Sequence, residues 1–484
     1  ASLRSLTYPP AVATTFDLDF NTIADDFTFT RGSEATFVNA QGLIQSTNEI
    51  GSELVVNGDF ATDSDWTKGT GSTISGGYLN HSGAAASDTT QYIPISQKEY
   101  RLEYTIVSGT GSVRFWSNIN AITPAKQSGV GTYVHYFFYD SSIGTDGRFA
   151  IALYDDISID NVSVKEHITA TNTPRLDYST GAEAFLLEPQ STNLVTYSED
   201  FSVSNWVKTS GATITPSYGI SPSGIQNSTR LQLSTSNEQI YISAGTHSGN
   251  TEVASLYIKG VSGETIQFGV GNNIGQGSTI ALDGNWQRIT QESTSGTVLI
   301  IGNKDATATD FEIWGTQLEE KSYATSYIPT SGASATRNQE LCNNATPVIN
   351  SEEGTLYAEI SALANGVGGA ISLSDGTSNN YIYLYFHPSG TKIVAKIVVN
   401  SITVYDKNIT SLDEVNYNKI AFKYQDSSFK IFANGVNISS LNQNSGNTFP
   451  INILNKLSFD NGAGSLDFFG NTKDLKYYPK ALAD

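Results

Sequence analysis

The stretch ELVVNGDFATDSDWTK at 53 to 68 returns at 192 to 208 as TNLVTYSEDFSVSNWVK. Leu54 and Val55 align with Leu194 and Val195, Asp59 and Phe60 with Asp200 and Phe201, Trp66 with Trp206, and Lys68 with Lys208. The far ends match too: DISIDNVSVKE at 156 to 166 parallels DFEIWGTQLEE at 310 to 320, each alternating in polarity before it closes on acids. First and last strands that recur so far apart mark two copies of a domain, since solenoid repeats return at much shorter periods. The alternation has period two, which places one face of each strand against a core.

The same pattern runs through the rest of the chain. From about 345 the strands lengthen, as in GTLYAEISA, NNYIYLYFHP and YNKIAFKYQDSSFKIFANGV, and the Asn434-Gly435 pair supplies hairpin-turn chemistry. Near the start, TFTRGSEATFVNAQGLIQ at 28 to 45 reads as a small β-hairpin, with Phe27, Phe29 and Phe37 alternating and a turn at 39 to 42. A lone hairpin is marginal in water, so this piece must dock on something. Phe16, Leu18 and Phe20 share one face of a further candidate strand. The expected fold is all-β: three tandem antiparallel β-sandwich (jelly-roll) domains with a small N-terminal β-hairpin unit. The expected boundaries are 1–50 for the hairpin unit, 51–168 and 190–330 for the repeated sandwiches, and 345–484 for the last one. Residues 169–189 are a connecting segment expected to pair with the hairpin, and 331–344 a linker.

Charge excludes one class of partner. Carboxylates outnumber Lys plus Arg by 47 to 27, the net charge is −20, and no basic run exceeds a pair, so nucleic acid is not expected. The single cysteine, Cys342, rules out an intrachain disulfide framework and reads as an inert thiol. No apolar stretch is long enough for a membrane span, and no basic-then-apolar leader opens the sequence, so neither membrane nor secretion is expected. The Asn-x-Ser/Thr sequences at Asn161, Asn227, Asn344, Asn408 and Asn437 are expected by chance in so Asn- and Ser-rich a chain.

The ending FKYQDSSFKIFANGVNI, then LSFDNGAGSLDFFGNTKDLKYYPKALAD, resembles the closing half of a concanavalin A-like (laminin G-type) jelly roll, through Phe469, Gly470, Lys473, Asp474, Tyr478, Ala481 and Leu482. The two repeats, with LVVNGDF…W and IDNVSV, are similar to carbohydrate-binding-module jelly rolls of the galactose-binding type. Together with PRLDY, LLEPQSTNLVTYSEDFS and LEEKSYATSYIPTSGASATR, the preamble resembles virion structural proteins of tailed bacteriophages. That resemblance implies a fibre, decoration or tail-associated protein on the surface of a virion. It would be made in the host cytoplasm, surrounded by other virion proteins, and facing host surface glycans; a homo-oligomer is compatible with it.

Glycan recognition needs aromatic faces and a few placed polar groups in a shallow cleft. The candidates are Trp116, then Tyr133, His135 and Tyr139 in YVHYFFYD, and the tyrosine face at Tyr381, Tyr383 and Tyr385. Each has a plainer reading as one of two packed layers, and Trp66 and Trp206 read as core. No cofactor is required, but jelly rolls of this type often hold a structural calcium, for which Asp59 and Asp160 would be the carboxylates in the first repeat. In the second, Asp200 remains while Trp314 takes the place of Asp160. The loops SDGTSNN and FDNGAGS read as turns. Catalytic residues are not expected: His81, His135, His167, His247 and His387 show no metal spacing, and no nucleophile elbow or phosphate loop appears. The alternatives are a polysaccharide-degrading glycoside hydrolase or lyase of a phage tail, which needs only two carboxylates across a cleft, and a bacterial surface adhesin.

Overall fold

The computed structural model of the chain describes residues 14, 16–83, 86–117, 120–123, 126–139, 148–209, 211–243, 251–304, 308–390, 392–425, 428–439 and 449–483. Within them the protein is all-β, its sheets antiparallel apart from an isolated bridge, and the only helices are a four-residue turn at Ile23–Asp26 and a three-residue turn at Ile274–Gln276. The part of the N-terminus before residue 14, including Ala1, and His247 lie outside the described residues.

The chain divides into two compact units that are not consecutive in sequence. The first comprises residues 1–45, 171–191 and 336–484; the second comprises 46–170 and 192–335. Most of the N-terminal segment, the connecting segment and the linker therefore group with the C-terminal sandwich, and the hairpin meets the connecting segment where the Tyr178 amide donates to the Val38 carbonyl. Buried apolar side chains nevertheless gather in three large clusters, one within the first unit and two within the second.

The first unit is built from a larger and a smaller sheet around the cluster that includes Leu356, Ile371, Leu384, Phe422 and Leu475. The last strand, Gly470–Tyr478, lies between Glu353–Ala362 and Ala184–Leu187, so part of the connecting segment extends the larger sheet. Phe16 pairs with Tyr477 on the same strand, and Thr28–Thr30 pairs with Leu341–Asn343, setting Phe29 opposite Cys342. Phe16, Phe27 and Phe29 are thereby buried in the C-terminal core. The turn at 39 to 42 forms as expected, with the Asn39 amide donating to the Leu43 carbonyl and Gly42 at φ 79°, a conformation that glycine adopts without strain. Its strands, Thr36–Val38 and Ile44–Ser46, pair with each other. The smaller sheet runs in the order Ile402–Ile409, Ile393–Val399, Tyr381–Phe386, Gly369–Ser374, Lys456–Ser458.

Where these remote stretches meet, five charged side chains are buried together. Arg31 Nη1 reaches Glu340 Oε1 at 2.7 Å, and Arg175 Nε donates to the same oxygen at 2.8 Å. Arg175 Nη2 bonds both Glu340 and Glu188, and Arg337 Nη1 lies 2.8 Å from Glu188 Oε2. Each of the five side chains is at most 3% exposed. Backbone groups complete the network: Arg175 Nη1 donates to the Thr36 carbonyl, Arg337 Nη2 to that of Pro189, and the Glu188 amide to Glu340. Burial alone would lower the pKa of Arg175, but Glu340 and Glu188 outweigh it and hold the guanidinium above its ordinary value. Unpaired, charges so placed would be prohibitively costly; paired and hydrogen-bonded, they specify which segments can meet.

The second unit contains both repeats, and their wiring is the same. In the first, one sheet is ordered Gly131–Phe138, Glu99–Gly109, Ile157–Ile168, Tyr78–His81, Ser72–Ser75; in the second, Gln287–Ser293, Glu252–Gly260, Thr309–Glu319, Thr229–Leu233, Thr213–Thr215. The tryptophans are bracketed alike. Trp66 Nε1 donates to the Asn57 carbonyl and Trp206 Nε1 to the Tyr197 carbonyl, both at 3.0 Å. Their rings lie against Phe60 and Phe201, with centroids 5.6 and 4.9 Å apart. A bulge interrupts the corresponding strand in each copy, carried by Asn161 at φ 53° in one and Gly315 at φ 65° in the other.

Candidate functional site

The strand Gly131–Phe138 shows what alternation alone leaves open. Tyr133 is 3% exposed, stacks on Tyr104 at 5.6 Å, and its hydroxyl donates to the Gly129 carbonyl at 2.8 Å. Tyr139 is equally buried in the same core. His135 lies parallel to the Tyr104 ring at 5.9 Å, and burial pulls its pKa down to about 4. The sheet turns Tyr133 and Tyr139 inward, and His135 is partly exposed beside them. The outward residues of the strand are Tyr136 and Phe138, at 51% and 61% exposure, with Tyr136 resting on His167. Period two separates Tyr133 from Tyr136, and only the sheet decides which side is wet.

Trp116 is partly exposed on the open side of the other sheet of that sandwich. Its strand, Ser112–Ser117, alternates inward Val113 and Phe115 with outward Arg114 and Trp116. Opposite them in register stand Ala152 and Ala150, both buried beneath their longer neighbours. The Arg114 guanidinium lies over the Trp116 ring at 4.3 Å, and its Nε donates to the Thr123 carbonyl at 3.2 Å. At one end of the face Lys126 Nζ sits 3.5 Å over the Tyr154 ring; at the other, Arg148 is 3.5 Å from Asp88. Arg114, Lys126 and Tyr154 carry no motif, and no pattern in the sequence pointed to them.

In the first unit, Tyr381, Tyr383 and Tyr385 share the outward face of the smaller sheet, since Ile382, Leu384 and Phe386 fill the core behind them. Tyr381 and Tyr383 stack nearly parallel at 5.0 Å, Tyr385 meets Tyr383 edge-on at 5.7 Å, and His387 continues the row. Tyr381 and Tyr385 are partly exposed, while Tyr383 is reduced to 9% between them. Burial raises the pKa of all three phenols, so they are neutral donors at ordinary pH. Register places Ser372 and Lys396 on either side of Tyr383, and Asp406 beyond Lys396. The parallel pair offers ring edges and hydroxyls to a ligand, because their faces are spent on each other.

The two expected calcium carboxylates serve their own loops. Asp59 accepts from the Ala61 amide at 3.4 Å, and Asp160 from the Asn161 amide at 2.7 Å, fixing the bulge residue. Asp200 does the same for Ser202. Among the described residues no group of three or more His, Cys, Asp and Glu side chains is placed to hold a metal ion. Asp375 and Asp460 likewise accept from turn amides, of Thr377 and Gly462.

At the position matching Asp160 the second repeat is closed over. Trp314 packs between Tyr257 and Tyr327, at 5.6 and 4.7 Å, and Glu199 accepts from the Tyr327 hydroxyl at 2.9 Å and from Asn227 Nδ2 at 3.0 Å. Burial raises the Glu199 pKa. Rings in direct contact leave no room between them for a ligand.

No family model and no curated protein matches the chain.

Proposed function

We propose that this chain is a non-enzymatic structural protein of a tailed-phage particle, a fibre, decoration or tail-associated component, whose sandwiches attach it weakly to surface glycans. The observation that carries the reading is the tyrosine row at 381, 383 and 385. A sheet that already has a full core on one side holds a second, partly wet aromatic layer on the other, beside Ser372 and Lys396. Hydroxyl edges with an apolar body between them are the chemistry that meets a saccharide, which is itself hydroxylated at its rim and apolar on its ring faces. The resemblance of the linker phrases to virion proteins supplies the setting, and many copies on one particle would raise a weak site to useful avidity.

The test is a glycan array probed with the whole chain, free and clustered on a bead. Binding that needs clustering and falls when Tyr385 is changed to Ala supports attachment. Shortening of a host polysaccharide during the incubation overturns the non-enzymatic part, and a blank array with the clustered protein overturns the glycan part.

A further inference from the structure

The open face around Trp116 differs from the tyrosine row in one respect that bears on its ligand. A neutral sugar stacks on an exposed ring face, but here the Arg114 guanidinium lies on the Trp116 indole at 4.3 Å. The same arrangement recurs alongside, with the Lys126 ammonium 3.5 Å over the Tyr154 ring. Tyr154 pairs with Ser112, on the strand that carries Arg114 and Trp116, so the two rings that back the cations belong to adjacent strands of one sheet. Arg148, on the strand of Tyr154, adds a third cation, partly offset by Asp88. In a chain with 47 acids and 27 bases, a sheet face that carries Arg114, Lys126 and Arg148 with Asp88 among its described residues is a local reversal of sign. An aromatic ring beneath a cation fixes its position and costs it little hydration, and a guanidinium held flat presents its donors in the fork that fits a carboxylate.

We propose that this face binds an acidic saccharide, one whose sugar units carry carboxylates, with Arg114 and Lys126 as the charge partners and Trp116 and Tyr154 as the rings that hold them in place. The inference rests on the saccharide-binding reading above and narrows it to a class. Cations repeated along one pair of strands suit a polymer of charged units better than a single ion.

The test is calorimetric titration of the full chain with three probes of matched length: an oligogalacturonate, a neutral cello-oligosaccharide and a single-stranded oligonucleotide. The expected result is about ten-fold tighter binding of the uronate than of the neutral sugar, weakening as salt rises. Arg114→Gln should abolish that preference and Lys126→Gln reduce it, with melting temperature and circular dichroism unchanged by Lys126→Gln. Neutral sugar bound as well as uronate, in a manner that Tyr385→Ala removes, would overturn this inference and leave the attachment reading standing. Uronate binding indifferent to both substitutions would overturn it as well, as would an oligonucleotide that binds more tightly. No saccharide bound at all would overturn both readings.

Discussion

In the first unit, stretches of chain far apart in sequence are joined by five buried charges; in the second, each sandwich ties its opening loop to its core with one tryptophan and the carbonyl nine residues before it. The two devices fail differently. An indole that loses its partner leaves one carbonyl unsatisfied, whereas removing one member of a charge network strands the others in a medium that cannot solvate them. The ionic device is therefore all-or-none and selective for its own segments, while the apolar one is graded and can be copied, as the duplicated sandwich shows.

The sharpest way to break this contrast is at Glu340, which holds both Arg31 and Arg175. Glu340→Ala should cost the first unit about 3–5 kcal/mol, seen in calorimetry as a transition that shifts while that of the second unit stays in place. A loss below about 1 kcal/mol would mean that the network is solvated and does not act as described.

Next in size is a pH effect confined to the first repeat. The fold keeps His135 neutral down to about pH 4, whereas the unfolded chain protonates it near its ordinary value of 6.5. Stability is accordingly full above pH 6.5, declines as pH falls through the window from 6.5 to 4, and levels off below it. The loss amounts to at most about 3 kcal/mol. Chemical denaturation across that window should show the slope in the wild type and a flatter profile in His135→Gln.

Smaller still is the tryptophan bracket. Trp66→Phe and Trp206→Phe should each cost about 1–2 kcal/mol, through the lost hydrogen bond and reduced burial. The two urea-unfolding shifts should agree if the repeats use the residue alike, and a two-fold disparity would separate them. Least of all, Asp160→Asn should shift the melting temperature by the equivalent of about 0.5 kcal/mol or less, with or without added calcium. Calcium-dependent stabilisation lost in that variant would place a cation at the bulge after all.

Much of this was legible beforehand because the signals are local. Aligning Trp66 with Trp206 and Phe60 with Phe201 is a comparison of short strings, and the structure gives each pair the same surroundings. Period-two alternation likewise fixed the strand at Tyr381–Phe386 and its two faces. What local pattern cannot carry is which face is wet and which strands meet. Tyr133 and Tyr136 look alike in YVHYFFYD, and burial of the first follows only from the neighbouring Glu99–Gly109 strand and the sheet packed behind it. Pairing of Phe16 with Tyr477 spans almost the whole chain, and no turn residue announces it. The charges in FTRGSE, PRLDY, LLEPQ and TRNQEL carry no local sign of burial, since a single Arg or Glu in a short polar stretch usually faces water. Only their convergence shows why each phrase has its ion.

The passages between the units have a consequence for how such a chain can change. Seen from the ion network, residues 46–170 and 192–335 are two long excursions whose ends are fixed by what lies just outside them. The entropic penalty for closing an excursion rises only slowly with its length. Segments of other lengths could therefore be exchanged at these points, with Arg31, Arg175, Glu188, Arg337 and Glu340 left as a fixed socket.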